Sequence, residues 1–95
     1  MMSEIPIKMD KMRKEEINKE IMRVGMIAEL DAVSLYEQLA AMTDNADLKT
    51  MLLDIAKEEK THMGEFEALL LRLDKEQEKE IANGKKEVEE KTGTR

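Results

Sequence analysis

Glu59 and His62 stand three residues apart in the stretch AKEEKTHMGEFEALLL, residues 56–71, and His62 is the only histidine of the chain. On a helix that spacing turns a carboxylate and an imidazole to the same face, the arrangement with which helical bundles hold a metal between their helices. One such pair is too few ligands for a metal site, so the rest of the chain must supply more. Glu29 qualifies: on a helical projection it shares a stripe with Met22, Met26, Val33, Tyr36 and Ala40, a carboxylate on an otherwise apolar line. A carboxylate-bridged di-iron centre in a four-helix bundle takes a Glu from each of two helices and a Glu-x-x-His from each of the other two. Glu29, Glu59 and His62 are half of that set, and two copies of the chain about a two-fold axis complete it. In such a centre Glu59 bridges both irons, while Glu29 and His62 are each terminal to one. Carboxylates and imidazole suit iron, the carboxylates favouring its ferric state; manganese and zinc accept the same donors.

Each residue also has a plainer reading. A lone histidine on an apolar face is commonly a satisfied core residue, and a Glu-x-x-His is easily found in a Glu-rich chain. The pair would then be an ion pair inside an interface, and the chain a non-catalytic helical assembly module. Tyr36, the only tyrosine, lies two turns beyond Glu29 and either packs with its hydroxyl at the rim or orients a ligating carboxylate. The nine methionines scatter over several faces and read as core filler rather than copper ligands.

The elements that must position these residues are helical. From about Lys11 to Met42 nothing but Gly25 interrupts a helix, and TDNAD (43–47) brings turn and capping residues, with Asp44 or Asn45 as the next N-cap. A second helix is expected from about Ala46 to Leu73, with Leu48, Leu52, Ile55, Phe66, Leu69 and Leu73 on one stripe and Glu59 and His62 within roughly 20° of its centre. Asp74 can cap a short third helix through about Ala82, where Asn83-Gly84 is a stop signal. The chain therefore divides into an N-terminal arm (1–11), a helical hairpin with a short third helix (12–82) and a charged tail (83–95). The fold class is all-α, an antiparallel two-helix hairpin that pairs as a dimer into a four-helix bundle. The first helix itself calls for the partner: a further apolar stripe of Ile17, Ile21, Val24, Ala28, Leu35, Leu39 and Met42 lies roughly 120° around from the first, and one neighbouring helix cannot cover both.

Composition narrows the rest. Charged residues are 40% of the 95 and aromatics 2%, with one proline, a helix-forming mixture. Without cysteine there can be no disulfides, zinc ribbon, rubredoxin-type iron site or iron–sulfur cluster, which fits a reducing cytoplasm. A net charge of −6 argues against nucleic acid as a partner, and no apolar run reaches the length of a membrane span.

The segments AELDAVSLYEQLA (28–40) and LLDIAKEEKTHMGEFEALLLRLD (52–74), with the spacing of Glu29 to Tyr36, resemble the encapsulated ferritins, ferritin-like proteins whose subunit is a helical hairpin. The resemblance covers roughly residues 14–92 and is greatest to archaeal members fused to an encapsulin shell protein. It implies a ferroxidase: a dimer forms the di-iron centre, dimers assemble into an open ring, often a decamer, and oxygen or peroxide oxidises Fe(II) inside an encapsulin nanocompartment. Carried over by position, Glu29, Glu59 and His62 match the metal ligands and Tyr36 the tyrosine beside them. Asp31 falls where some members have an acidic residue that helps feed metal to the site, and Leu35 where those members have tryptophan. A rubrerythrin-like reduction of peroxide is a further reading, although the chain has no rubredoxin cysteines to deliver electrons.

Overall fold

In the computed structural model, residues 13–93 are described, and they form three helices. These are α1 (Lys14–Met42), α2 (Ala46–Leu73) and α3 (Lys75–Thr92). The expected N-terminal arm lies outside the described residues, as do Lys11 and Met12, where the sequence places the start of the first helix.

Local chemistry fixes the turn between α1 and α2. The Asn45 side-chain oxygen accepts from the Leu48 N–H at 2.9 Å, and Thr43 Oγ1 accepts from the Asn45 N–H at 3.1 Å. Asn45, not Asp44, is thus the N-cap, satisfying a backbone donor that the first turn of a helix leaves without a partner. The short connection makes α1 and α2 antiparallel neighbours. At about 1.5 Å per residue the 29 residues of α1 span about 43 Å, and the principal extents of the molecule are 47 × 43 × 18 Å. An 18 Å thickness leaves no room for a second full layer of helices, each 10–12 Å across. The radius of gyration, 16.6 Å, likewise exceeds the roughly 12 Å of a compact domain of this length.

Asp74 makes the corner into α3. Its backbone N–H donates to the Leu70 carbonyl, closing α2, and its Oδ1 accepts from the Gln77 N–H at 2.9 Å, opening α3. Oδ2 receives Arg23 Nη2 at 2.8 Å and so ties the corner back to α1. The Gln77 N–H, with the Arg23 hydrogen bond and charge, holds the Asp74 carboxyl below its ordinary value of 3.8 against an opposing desolvation. The first turns of α3 meet α1 across a groove lined by Arg23, Met26, Ile27, Leu30, Leu70, Gln77 and Ile81.

The expected stop at Asn83-Gly84 is overturned: α3 runs through both residues to Thr92, so most of the expected tail is helix. Gly84 keeps a negative φ, and the Asn83 amide donates to Glu80 Oε1 at 3.2 Å instead of competing for the backbone. The helix ends at Gly93, whose φ of 70° is the left-handed conformation that favours glycine, with its N–H bonded to the Glu89 carbonyl at 2.9 Å.

A single layer buries little. Val33, Ala40, Ala56 and Leu70 are the buried hydrophobic residues among those described. On α1 this follows the expected stripe. On α2 the buried face is centred on Ala56 and Leu70, turned by roughly 70° from the expected line, and Leu48, Leu69 and Leu73 are exposed. Small residues cause the offset: Ala40, Ala56 and Gly25 let the helix axes approach where larger side chains would hold them apart. The further α1 stripe is uncovered as expected, with Ile21, Leu35, Leu39 and Met42 all exposed. By the same projection Ile21 and Leu39 of α1 and Met51, Leu69 and Leu73 of α2 share one open apolar face of the hairpin, opposite the side that α3 occupies.

Candidate metal centre

Glu29 sits mid-way along α1, and Glu59 and His62 mid-way along α2, where the two long helices are held in register by the turn at residues 43–45. The structure brings all three together. One potential ligand atom from each lies within 4.8 Å of the others, and they form the cluster of metal-ligating type found among the described residues. His62 Nδ1 is 3.4 Å from Glu59 Oε2 and 3.4 Å from Glu29 Oε2.

Those distances are informative. Charge-assisted N–H···O bonds are about 2.7–2.9 Å long, so neither contact is a short charge-assisted hydrogen bond. Nδ1 carries at most one proton and cannot satisfy both carboxylates, and Glu29 Oε2 is left buried without a hydrogen-bond partner. With ligand bonds of about 2.1 Å, neighbouring ligands around a tetrahedral or octahedral ion stand about 3.0–3.4 Å apart. The donor set, its separation and the orphaned Glu29 oxygen all fit a cation, and a hard-to-intermediate one.

The cluster does not lie in the middle of the α1–α2 seam. Glu29 and Glu59 side chains are 19% and 20% exposed, while His62 is 44% exposed. The reason is the turned face of α2, which places His62 at the edge of the seam, on the side of the open apolar face. The residues that helix counting set in mid-stripe therefore look outward, and one copy of the chain encloses them only partly.

Tyr36 is half-buried on the Glu29 side of α1, but it makes no hydrogen bond to Glu29, Glu59 or His62. Asp31 does not join the cluster; it lines a groove with Ile27, Leu30, Ser34 and Gln38 on another side of α1. Leu35 is exposed on the uncovered stripe. Residue typing passed over one feature, the contact of Gly25 with Phe66. A Cβ at Gly25 would lie 2.9 Å from three atoms of the Phe66 ring. The signal was there in the numbering, since Gly25 is one turn before Glu29 and Phe66 one turn after His62.

The rubrerythrin family profile matches residues 7–95. The chain belongs to the rubrerythrin family. Within this ferritin-like group it is 54% identical over 80 residues to the ferritin-like-encapsulin shell fusion protein of Pyrococcus furiosus, covering 84% of this chain and 23% of that protein. It is 40% identical over 79 residues to the encapsulin nanocompartment cargo protein EncC of Myxococcus xanthus, covering 83% of this chain and 58% of that one. The chain thus spans about a quarter of the first relative and little more than half of the second. The crystal structure of the encapsulated ferritin domain from Pyrococcus furiosus superposes with a TM-score of 0.84 at 50% identity, over 93% of this chain and 90% of that one. The all-α ferritin-like fold expected from the sequence is the fold observed, and the family points to iron. Among the described residues no helix is long and apolar enough to cross a membrane.

Proposed function

We propose that this rubrerythrin-family chain is a ferroxidase whose di-iron centre forms between two copies, each giving Glu29, Glu59 and His62. The observation that carries the reading is the orphaned Glu29 oxygen facing Glu59 and His62 beside an uncovered apolar face. Half a ligand set exposed on half a hydrophobic interface is the expected state of one protomer of a two-fold dimer. Two-fold pairing over Ile21, Leu39, Met51, Leu69 and Leu73 would bury those side chains and bring the second Glu29, Glu59 and His62 against the first.

Fe(II) is the substrate. The four carboxylates of such a dimer offset its charge, and they favour Fe(III) over Fe(II), which lowers the potential at which iron gives up an electron. Two irons together release two electrons to one oxidant: dioxygen, with two protons, leaves as hydrogen peroxide, or hydrogen peroxide, with two protons, leaves as two waters. Pairing the electrons avoids one-electron oxygen radicals. Tyr36, on the Glu29 side of α1, would help orient a ligating carboxylate. The relatives' descriptions as an encapsulin fusion and an encapsulin cargo protein support a place inside an encapsulin compartment. Iron storage as the purpose and dimers joined in a decameric ring are proposed from the resemblance to encapsulated ferritins.

The test is an anaerobic Fe(II) titration followed by admission of air. About one iron per chain and a rise in ferric absorbance are expected, both lost in Glu59→Ala and His62→Ala. Oxidation unchanged in those variants, with an altered oligomer, would instead support the assembly-module reading. The rubrerythrin family match gives a specific reason to run the same assay with peroxide: much faster turnover with peroxide than with dioxygen would mark a peroxidase.

A further inference from the structure

Gly25 and Phe66 stand in the same register as Glu29 and His62, one helical turn away on each helix, or about 6 Å along the axes. The two pairs are consecutive layers of one seam. Phe66 is the only phenylalanine of the chain, and its ring lies so close to the Gly25 backbone that an added Cβ would sit 2.9 Å from Cδ1, Cε1 and Cζ. Carbon atoms do not approach that closely without displacement, their contact optimum being about 3.5–4.0 Å. Three contiguous ring atoms at one distance also mean that tilting the ring cannot relieve the clash; the ring, or the helix that carries it, must withdraw. By contrast Gly64 and Gly84 have open space where a Cβ would go, so neither is required by packing.

We propose that Gly25 and Phe66 are the positioning pair of the metal cluster. Resting on the ferroxidase reading above, the inference is that Gly25 acts through Phe66, by allowing the ring to lie across the seam and so setting how closely α1 and α2 approach at the ligands. The 3.4 Å separations leave little latitude: withdrawal of α2 by the roughly 0.6 Å that restores a normal contact at Gly25 would stretch the Glu29–His62 gap to about 4.0 Å, past the roughly 3.0–3.4 Å between adjacent ligands of one ion.

The experiment compares wild type, Gly25→Ala, Phe66→Leu and the double variant, all metal-free at one protomer concentration. Helix content is followed by circular dichroism and Co(II) affinity by titration of its visible absorption. Gly25→Ala should stay helical and bind Co(II) at least tenfold more weakly, and Gly25→Ala/Phe66→Leu should return to within about threefold of Phe66→Leu alone, because the methyl then meets no ring. Wild-type affinity in Gly25→Ala would overturn the proposal. So would a tenfold loss on adding Gly25→Ala to the Phe66→Leu variant, a comparison that holds even if Gly25→Ala alone loses helix. Failure of wild type to bind Co(II) or Fe(II) is a different result, since it removes the metal reading itself.

Discussion

Glu29→Gln should stabilise the metal-free protein while removing most of the stabilisation that metal confers. Glu29 Oε2 is buried and has no hydrogen-bond partner, and Glu59 Oε2 lies in the same cluster. An unsatisfied buried polar group costs about 1–3 kcal/mol, more when charged. The Glu29 side chain keeps 19% of its exposure, so the lower end, about 1 kcal/mol, is the appropriate figure. Glutamine has nearly the same shape, no charge, and an amide that can donate to Glu59. For a domain of this size 1 kcal/mol corresponds to roughly 4–8 °C in Tm. With metal the sign reverses: a wild-type site at one hundred times its Kd gains about 2.7 kcal/mol, and a variant with a neutral, weaker ligand gains far less. Differential scanning calorimetry at one fixed protomer concentration, with chelator and then with Co(II), reads both effects, the fixed concentration being needed because dimerisation also moves Tm. A metal-free Glu29→Gln protein that melts below wild type would refute the view that the oxygen is an uncompensated acceptor. An equal rise in both proteins on adding Co(II) would refute its role as ligand.

Three other outcomes follow from the structure. Leu39→Asp, which puts a charge on the open apolar face without touching the cluster, should shift native mass spectra from ring or dimer to monomer, and unchanged assembly would show that this face is not the interface. Asn45→Ala removes the acceptor of the Leu48 N–H and should cost about 1 kcal/mol, a fall of roughly 4–8 °C in Tm; no change would show that water satisfies the N–H as well. Because the folded carboxyl of Asp74 is held below 3.8, its contribution is present above that value and lost as pH falls through the lower folded one. The Tm difference between wild type and Asp74→Asn, which keeps a capping oxygen but loses the Arg23 ion pair, should therefore be largest above the ordinary carboxylate value of 3.8 and shrink as pH falls below it; a pH-independent difference would remove Arg23 from the account.

Much of this was legible in the chain because helices are local. Asn45 and Asp74 announce their caps by type and by the apolar runs that follow them, and Glu59-x-x-His62 is one face by counting alone. Asn83-Gly84 misled because its turn signal has force only where the backbone takes a positive φ; between strong helix formers, a glycine cost of about 1 kcal/mol does not break α3. The facing of α2 was misplaced for another reason. Counting at 100° per residue fixes angles between residues but not which angle points at the neighbour, and that origin is set by where Gly25, Ala40 and Ala56 let the axes close in.

The meeting of Glu29 with Glu59 and His62 thus depends on two quantities that motif reading does not contain. The first is axial. Glu29 and Glu59 are equally far along the chain from Asp44, the middle of the connection, so an antiparallel hairpin folded at residues 43–45 must set them level. Lengthening that connection would leave both helices intact and slide the carboxylates apart by up to 1.5 Å per residue, several times the tolerance of a metal–ligand bond. The second is lateral, and it is carried by the Gly25 layer one turn away, where a single methyl group has no room. Neither quantity is set by the ligand motif itself, yet without both the three ligands remain a motif on one helix and a stray carboxylate on the other.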